Sequence, residues 1–204
     1  MKFLQALSLT AIFVASHVKG YTQNCTLTCP SNMVITAEKG KEGAIVNFSA
    51  ASTTGECGTV AYSPVSGSFF RLGSHSIIAT AANGQKCSFT ITVTDNESPV
   101  LSVVTLSTKK LWPANNKMKK VAVYYSASDN GQDVASVLSV SSNNTDSTAR
   151  DWEVINNHLL RLKASRLADG TPRIYSITVT STDEAGNKTA RTTSIAVSKN
   201  MIAK

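Results

Sequence analysis

The chain has 204 residues, 42% hydrophobic and 16% charged, with 20 Lys/Arg against 13 Asp/Glu for a formal net charge of +7. This balance excludes a disordered or low-complexity polymer and allows one large domain or two ordinary ones. After the N-terminal twenty residues, no segment approaches the ~20 consecutive apolar residues of a membrane-spanning helix, and no phosphate loop or dinucleotide fingerprint occurs.

Residues 1–20, MKFLQALSLTAIFVASHVKG, carry Lys2, an uncharged and mostly apolar run from Phe3 to Ala15, and small residues at Val18 and Gly20. This is the pattern of a secretory signal peptide, too short for a convincing span. A cut after Gly20 leaves 204 − 20 = 184 residues, expected to be soluble and released. Four cysteines follow, Cys25, Cys29, Cys57 and Cys87, all in the first half. In an oxidising compartment they predict two disulfides, with three connectivities open. A zinc site would need a second close pair or a nearby His beside Cys25 and Cys29, and neither is there.

The remaining elements read as strands. Short apolar runs near Met33–Ala37, Ala44–Phe48 and Gly58–Tyr62 are separated by turns rich in Gly, Ser, Thr and Pro. Ile77–Ala81 is then followed by the turn ANGQ. In the next run Cys87, Phe89, Ile91 and Val93 face one way, and Ser88, Thr90, Thr92 and Thr94 the other. DNESPV, Asp95–Val100, places a boundary near residue 98, because Pro99 cannot donate to a ladder. Beyond it, Val121, Val123, Tyr125 and Ala127 alternate with polar or small residues. So do Leu160, Leu162 and Ala164, then Tyr175, Ile177 and Val179, and finally Thr193, Ile195 and Val197. The hairpin SIIATAANGQKCSFTITVTD, from Ser76, has an echo from Ser176, SITVTSTDEAGNKTARTTSIAV. An offset of 100 residues is about one immunoglobulin-sized sandwich. The predicted fold is therefore all-β: two tandem immunoglobulin-like antiparallel β-sandwiches after a signal peptide, divided as 1–20, 25–98 and 99–200.

Cys29–Pro30, SPVSGSFFRLG (Ser63–Gly73) and CSFTITVTD (Cys87–Asp95) followed by Pro99 resemble a hyalin repeat (HYR) domain, an immunoglobulin-like module of extracellular proteins. The resemblance implies a Cys29–Cys87 disulfide, which leaves Cys25 with Cys57. The second half, through LWPANNKM, DWEVINNHLLRLKASR and RIYSITVTSTDEAGN, resembles immunoglobulin-like repeats of secreted bacterial proteins. These likenesses imply a fold and an extracellular setting and supply no chemical activity.

Catalytic constellations are scarce. After processing, His75 and His158 remain, one in each half, and both read as surface or loop histidines. Asp151 and Glu153 are two apart and read as a solvated edge flanking an inward Trp152. Calcium ligands are sought in TDNES (Asp95, Glu97), SDNGQD (Asp129, Asp133) and TDEAGN (Asp183, Glu184), with Asp95, Asp129 and Asp183 the weak candidates. Asp, Asn and Gly at turns also have a purely structural explanation, so no metal and no cofactor is expected.

Residues 21–99 carry 4 Lys/Arg and 5 Asp/Glu, a net of −1; residues 100–204 carry 14 and 8, a net of +6. The run KKLWPANNKMKK concentrates this charge, making Trp112, Lys109, Lys110, Lys117, Lys119 and Lys120 the candidate ligand-binding residues. A nucleic-acid partner is not expected, since base-reading aromatics in series are missing. Asn-x-Ser/Thr sequons at Asn24, Asn47, Asn96, Asn143 and Asn187 are candidate N-glycosylation sites. The expected function is a secreted, non-enzymatic binding or adhesion protein whose partner is an extracellular protein or a surface glycan. The alternative is an accessory or effector protein of a secreted enzyme system, with polysaccharide bound by the basic second domain.

Overall fold

The computed structural model describes residues 24–131, 133–144 and 151–199; the expected signal peptide lies outside them. The first eight strands are β1 (Cys25–Thr28), β2 (Met33–Thr36), β3 (Gly43–Val46), β4 (Ser52–Gly55), β5 (Val60–Ser63), β6 (Ser68–Arg71), β7 (Gly73–Ala81) and β8 (Lys86–Thr94). After the linker come β9 (Val100–Leu101), β10 (Thr105–Leu106), β11 (Lys110–Leu111), β12 (Met118–Tyr124) and β13 (Ala127–Ser128). The last five are β14 (Ala135–Ser142), β15 (Trp152–Asn156), β16 (Leu159–Lys163), β17 (Ile174–Thr182) and β18 (Lys188–Val197). No helix among the described residues is long and apolar enough to cross a membrane.

The protein is an all-β tandem of sandwiches. Strands β1–β8 pair only with one another, in sheets β2-β8-β7-β5, β3-β6 and β1-β4. Strands β9–β18 do likewise, in sheets β11-β18-β17-β14, β10-β12-β16-β15 and β13-β9. The two four-stranded sheets β2-β8-β7-β5 and β11-β18-β17-β14 share one plan. An N-terminal edge strand runs parallel to the last strand, which is antiparallel to the one before it. The parallel ladders depart from a purely antiparallel expectation. They form because an entire sandwich of chain separates the two strands, ample length for the crossover that parallel pairing requires.

Period-two alternation of β-branched and aromatic residues builds the core. Ile77, Phe89, Ile91 and Val93 pack with Ala44, Val46 and Phe70 in the first sandwich. Val121, Val123, Leu160, Leu162, Tyr175, Ile177, Val179, Ile195 and Val197 pack together in the second. The turn of each closing hairpin uses a glycine at positive φ, Gly84 at 91° and Gly186 at 92°, a region that a Cβ disfavours.

Disulfides join Cys25 to Cys57 and Cys29 to Cys87. Cys25, Cys57 and Ala81 form a small core of their own. Between the sandwiches, Asp95–Pro99 forms no ladder, and Pro99 is buried.

Strand β14 carries no clear sequence signal. ASVLSVSS is serine-rich, and only Leu138 of its eight residues is buried. It is an edge strand beside β17, where one-sided pairing suffices without a full apolar face.

Candidate functional site

Two reversals and the linker bring acidic residues to one place. Asp95 follows β8, Asp129 follows β13, and Asp183 follows β17. One ligand oxygen from each can be chosen so that all lie within 4.8 Å of one another. The residues are widely separated in sequence, and the sheet order makes them neighbours.

Local chemistry sets each orientation. The Glu97 N–H donates to Asp95 Oδ1 at 2.9 Å, closing an Asx turn, and Asn130 Nδ2 donates to the same oxygen at 3.1 Å. The Asn187 N–H donates to Asp183 Oδ1 at 2.8 Å, and Asn187 Nδ2 donates to Asp183 Oδ2 at 3.0 Å. Asn187 Nδ2 also reaches the Asp95 carbonyl at 3.5 Å. Glu97 accepts the Gly40 N–H at 2.8 Å, tying the β2–β3 loop to the linker.

Asp183 is only 6% exposed. Asp129 Oδ2 and Asn130 Oδ1 are buried and accept no hydrogen bond. Burial pushes the Asp129 carboxyl above the ordinary aspartate range against a bond from the Asn130 backbone, and the charges of Asp95, Asp183 and Glu97 push it the same way. A cleft of about 490 Å³ opens beside these groups, lined by Lys39, Gly40, Glu97, Val100, Asp129 and Asn130 among others. An all-oxygen, net-negative arrangement of this kind suits a hard cation.

The other candidate residues are placed differently. The basic run crosses from one sheet to the other: Lys110 lies in β11, and Lys119 and Lys120 in β12. Trp112 is 42% exposed in the intervening loop, with Lys117 beside the entry to β12. Lys109, Lys117 and Lys120 are exposed, whereas Lys110 and Lys119 are half-buried. Among the sequons, Asn24, Asn47 and Asn96 are exposed. The Asn143 side chain braces a loop, donating to the Pro172 carbonyl and accepting from the Ile174 N–H, and Asn187 holds the acidic turn. His75 bonds the Arg71 carbonyl at 2.7 Å, and His158 stacks on Tyr125 at 4.5 Å.

The expected solvated edge at Asp151 is corrected by the structure. Asp151 is buried and ion-paired to buried Arg173, with Lys163 at 3.3 Å. Tyr175 donates its hydroxyl to the Lys163 and Asp151 carbonyls at 2.9 and 3.1 Å. Trp152 is half-buried and meets the Tyr175 ring edge-on at 6.3 Å. Burial raises the Asp151 carboxyl, but the hydrogen bonds and charges of Arg173 and Lys163 outweigh it and hold the group below the usual aspartate range. Sequence spacing could not reveal this because Arg173 lies 22 positions away.

Sequence reasoning did not assign Asn130 or Asn187 to the acidic site. The one available signal was recurrence: TDNES, SDNGQD and TDEAGN each place acids and amides just past a strand.

Among solved structures, the chain is similar to cadherin domains 1–4 of protocadherin gamma B7 (14% identity, TM-score 0.38, covering 85% of this chain and 49% of that one). It is similar to Drosophila N-cadherin domains 1–4 (14%, TM-score 0.31, 83% and 48%) and to titin domains I67–I69 (11%, TM-score 0.32, 85% and 65%). The chain thus spans about half the length of the cadherin structures it matches. No curated protein sequence matches it. Residues 22–93, about a third of the chain, match the HYR domain family.

Proposed function

We propose that the chain is a secreted, non-enzymatic binding or adhesion protein that holds an extracellular protein or a surface glycan against its sandwiches, the second read as an immunoglobulin-like repeat of the kind found in secreted bacterial proteins. The paired cysteines and the HYR-like first half support an extracellular setting. The observation that carries the binding role is the outer face of sheet β10-β12-β16-β15. Met118, Lys120 and Tyr124 are exposed on β12, and Lys163 and Arg161 stand opposite Met118 and Lys120 on β16. Large apolar groups interleaved with cations on a solvent-facing sheet suit contact with a partner, where aromatic and basic anchors contribute most of the binding energy.

Capture from native extracellular material with the mature protein tests this reading, with Tyr124→Ala and Lys120→Glu variants as controls. Saturable retention of one partner, lost in those variants, is the expected result. No saturable partner, or retention indifferent to the whole face, sinks the proposal. A second reading, polysaccharide binding as part of a secreted enzyme system, draws on Trp112 and Lys117, both exposed in the loop between β11 and β12. A glycan array distinguishes it: glycan binding abolished by Trp112→Ala favours the accessory role.

A further inference from the structure

We propose that Asp95, Asp129 and Asp183 bind one Ca²⁺ ion, which locks the inter-sandwich linker onto the second sandwich. The inference goes beyond the binding role and is independent of which partner the sandwiches hold.

The geometry fits a single ion. Ca²⁺ takes oxygen ligands at about 2.3–2.6 Å, so ligands on opposite sides of it stand about 4.6–5.2 Å apart. The three carboxylates offer oxygens within 4.8 Å of one another. Turn closure explains Asp95 and Asp183 individually, since both bond nearby backbone N–H groups. It leaves Asp129 Oδ2 unexplained: that oxygen is buried without a partner, as is Oδ1 of the adjacent Asn130. A buried, unpaired carboxylate oxygen is costly unless a cation satisfies it. Among the described residues, neither Asp129 nor Asp183 forms an ion pair. Asp129 and Asp183 belong to residues 100–204, whose net charge is +6 (14 Lys/Arg against 8 Asp/Glu), and Asp95 to residues 21–99, whose net charge is −1 (4 against 5), so their meeting is not a by-product of a strongly acidic chain.

The donor set chooses the ion. No Cys or His enters the cluster, which disfavours Zn²⁺. Mg²⁺ demands a near-ideal octahedron and keeps several waters, whereas Ca²⁺ accepts irregular carboxylate and amide oxygens. Once bound, the ion would join Asp95 of the linker to the β13 and β17 reversals. The Glu97–Gly40 bond carries the same linker to the first sandwich.

Metal-stripped mature protein titrated with CaCl₂ by calorimetry tests the proposal, with thermal melting in parallel. One site per chain is expected, with a dissociation constant of about 10⁻⁴–10⁻³ M, the range of extracellular modules. Asp129→Asn, nearly isosteric, should weaken binding at least tenfold and abolish the calcium-dependent rise in Tm. In chelator the same variant should melt no lower than wild type, because it removes a like charge, and this separates ligand loss from misfolding. Asp133→Asn, from the same loop but outside the triad, should bind as wild type does. Absence of calcium heat at millimolar concentration, unchanged affinity in Asp129→Asn, or an equal response to MgCl₂ would overturn the assignment.

Discussion

The first sandwich has two disulfides and two separate buried hydrophobic clusters, of seven and three residues, whereas the second has no cysteine and one continuous cluster of fourteen, counted among the described residues. Both use the same parallel-edged, four-stranded sheet. One strand plan is thus held by two different means. Where the buried clusters are small and divided, covalent closure limits the unfolded chain; where one larger cluster forms, packing takes that part, together with a buried ionic network at Asp151, Arg173 and Tyr175.

Breaking each device should unfold its own half. Cys25–Cys57 and Cys29–Cys87 close sequence separations of 32 and 58, and each stabilises by about 4 kcal/mol in the chain-entropy model. Differential scanning calorimetry with reductant should therefore lower one transition sharply and leave the other in place. A single transition falling as a whole would mean that the sandwiches unfold as one unit.

Arg173→Ala acts on the second half. It leaves Asp151 buried without its main cation and should cost about 3 kcal/mol, read from the transition that reductant spares. The same pair sets an acid response. Because the folded Asp151 titrates below its unfolded value, its contribution is complete above about pH 4 and is lost as pH falls through the folded pKa. Wild type should lose stability in the second half over that acid range, and Arg173→Ala should show a flatter dependence. Parallel curves for the two proteins would place the acid sensitivity elsewhere.

A smaller effect couples the halves. If the junction binds calcium with a dissociation constant of about 1 mM, then 10 mM free ion stabilises the folded chain by about 1.4 kcal/mol. Asp129→Asn should erase that difference in a chemical denaturation series. The smallest change compares the cores directly: Ile91→Val and Ile177→Val each remove one methylene from a fully buried site and should each cost about 1 kcal/mol. A markedly cheaper Ile91→Val would show that the stapled core is the more loosely packed one.

Much of the architecture is legible in the sequence. The buried rows Phe89–Ile91–Val93 and Tyr175–Ile177–Val179 are those that alternation predicts, because side chains on a strand change face at every residue. Short or polar strands escaped: β9, β10, β11 and β13 have two residues each, and β14 has a serine-rich edge sequence, so neither length nor periodicity marks them. At the acidic site the three aspartates could be suspected from their turns, but their meeting could not.

What the sequence determined alone is local and periodic: the strand faces, the glycines that reverse the closing hairpins, the even cysteine count, and a domain plan written twice. Only the tertiary structure decided which distant residues share space. Asp151 found its cation in Arg173, and Asp95, Asp129 and Asp183 found one another, because strand order and sheet packing, rather than neighbouring residues, set where each loop end arrives.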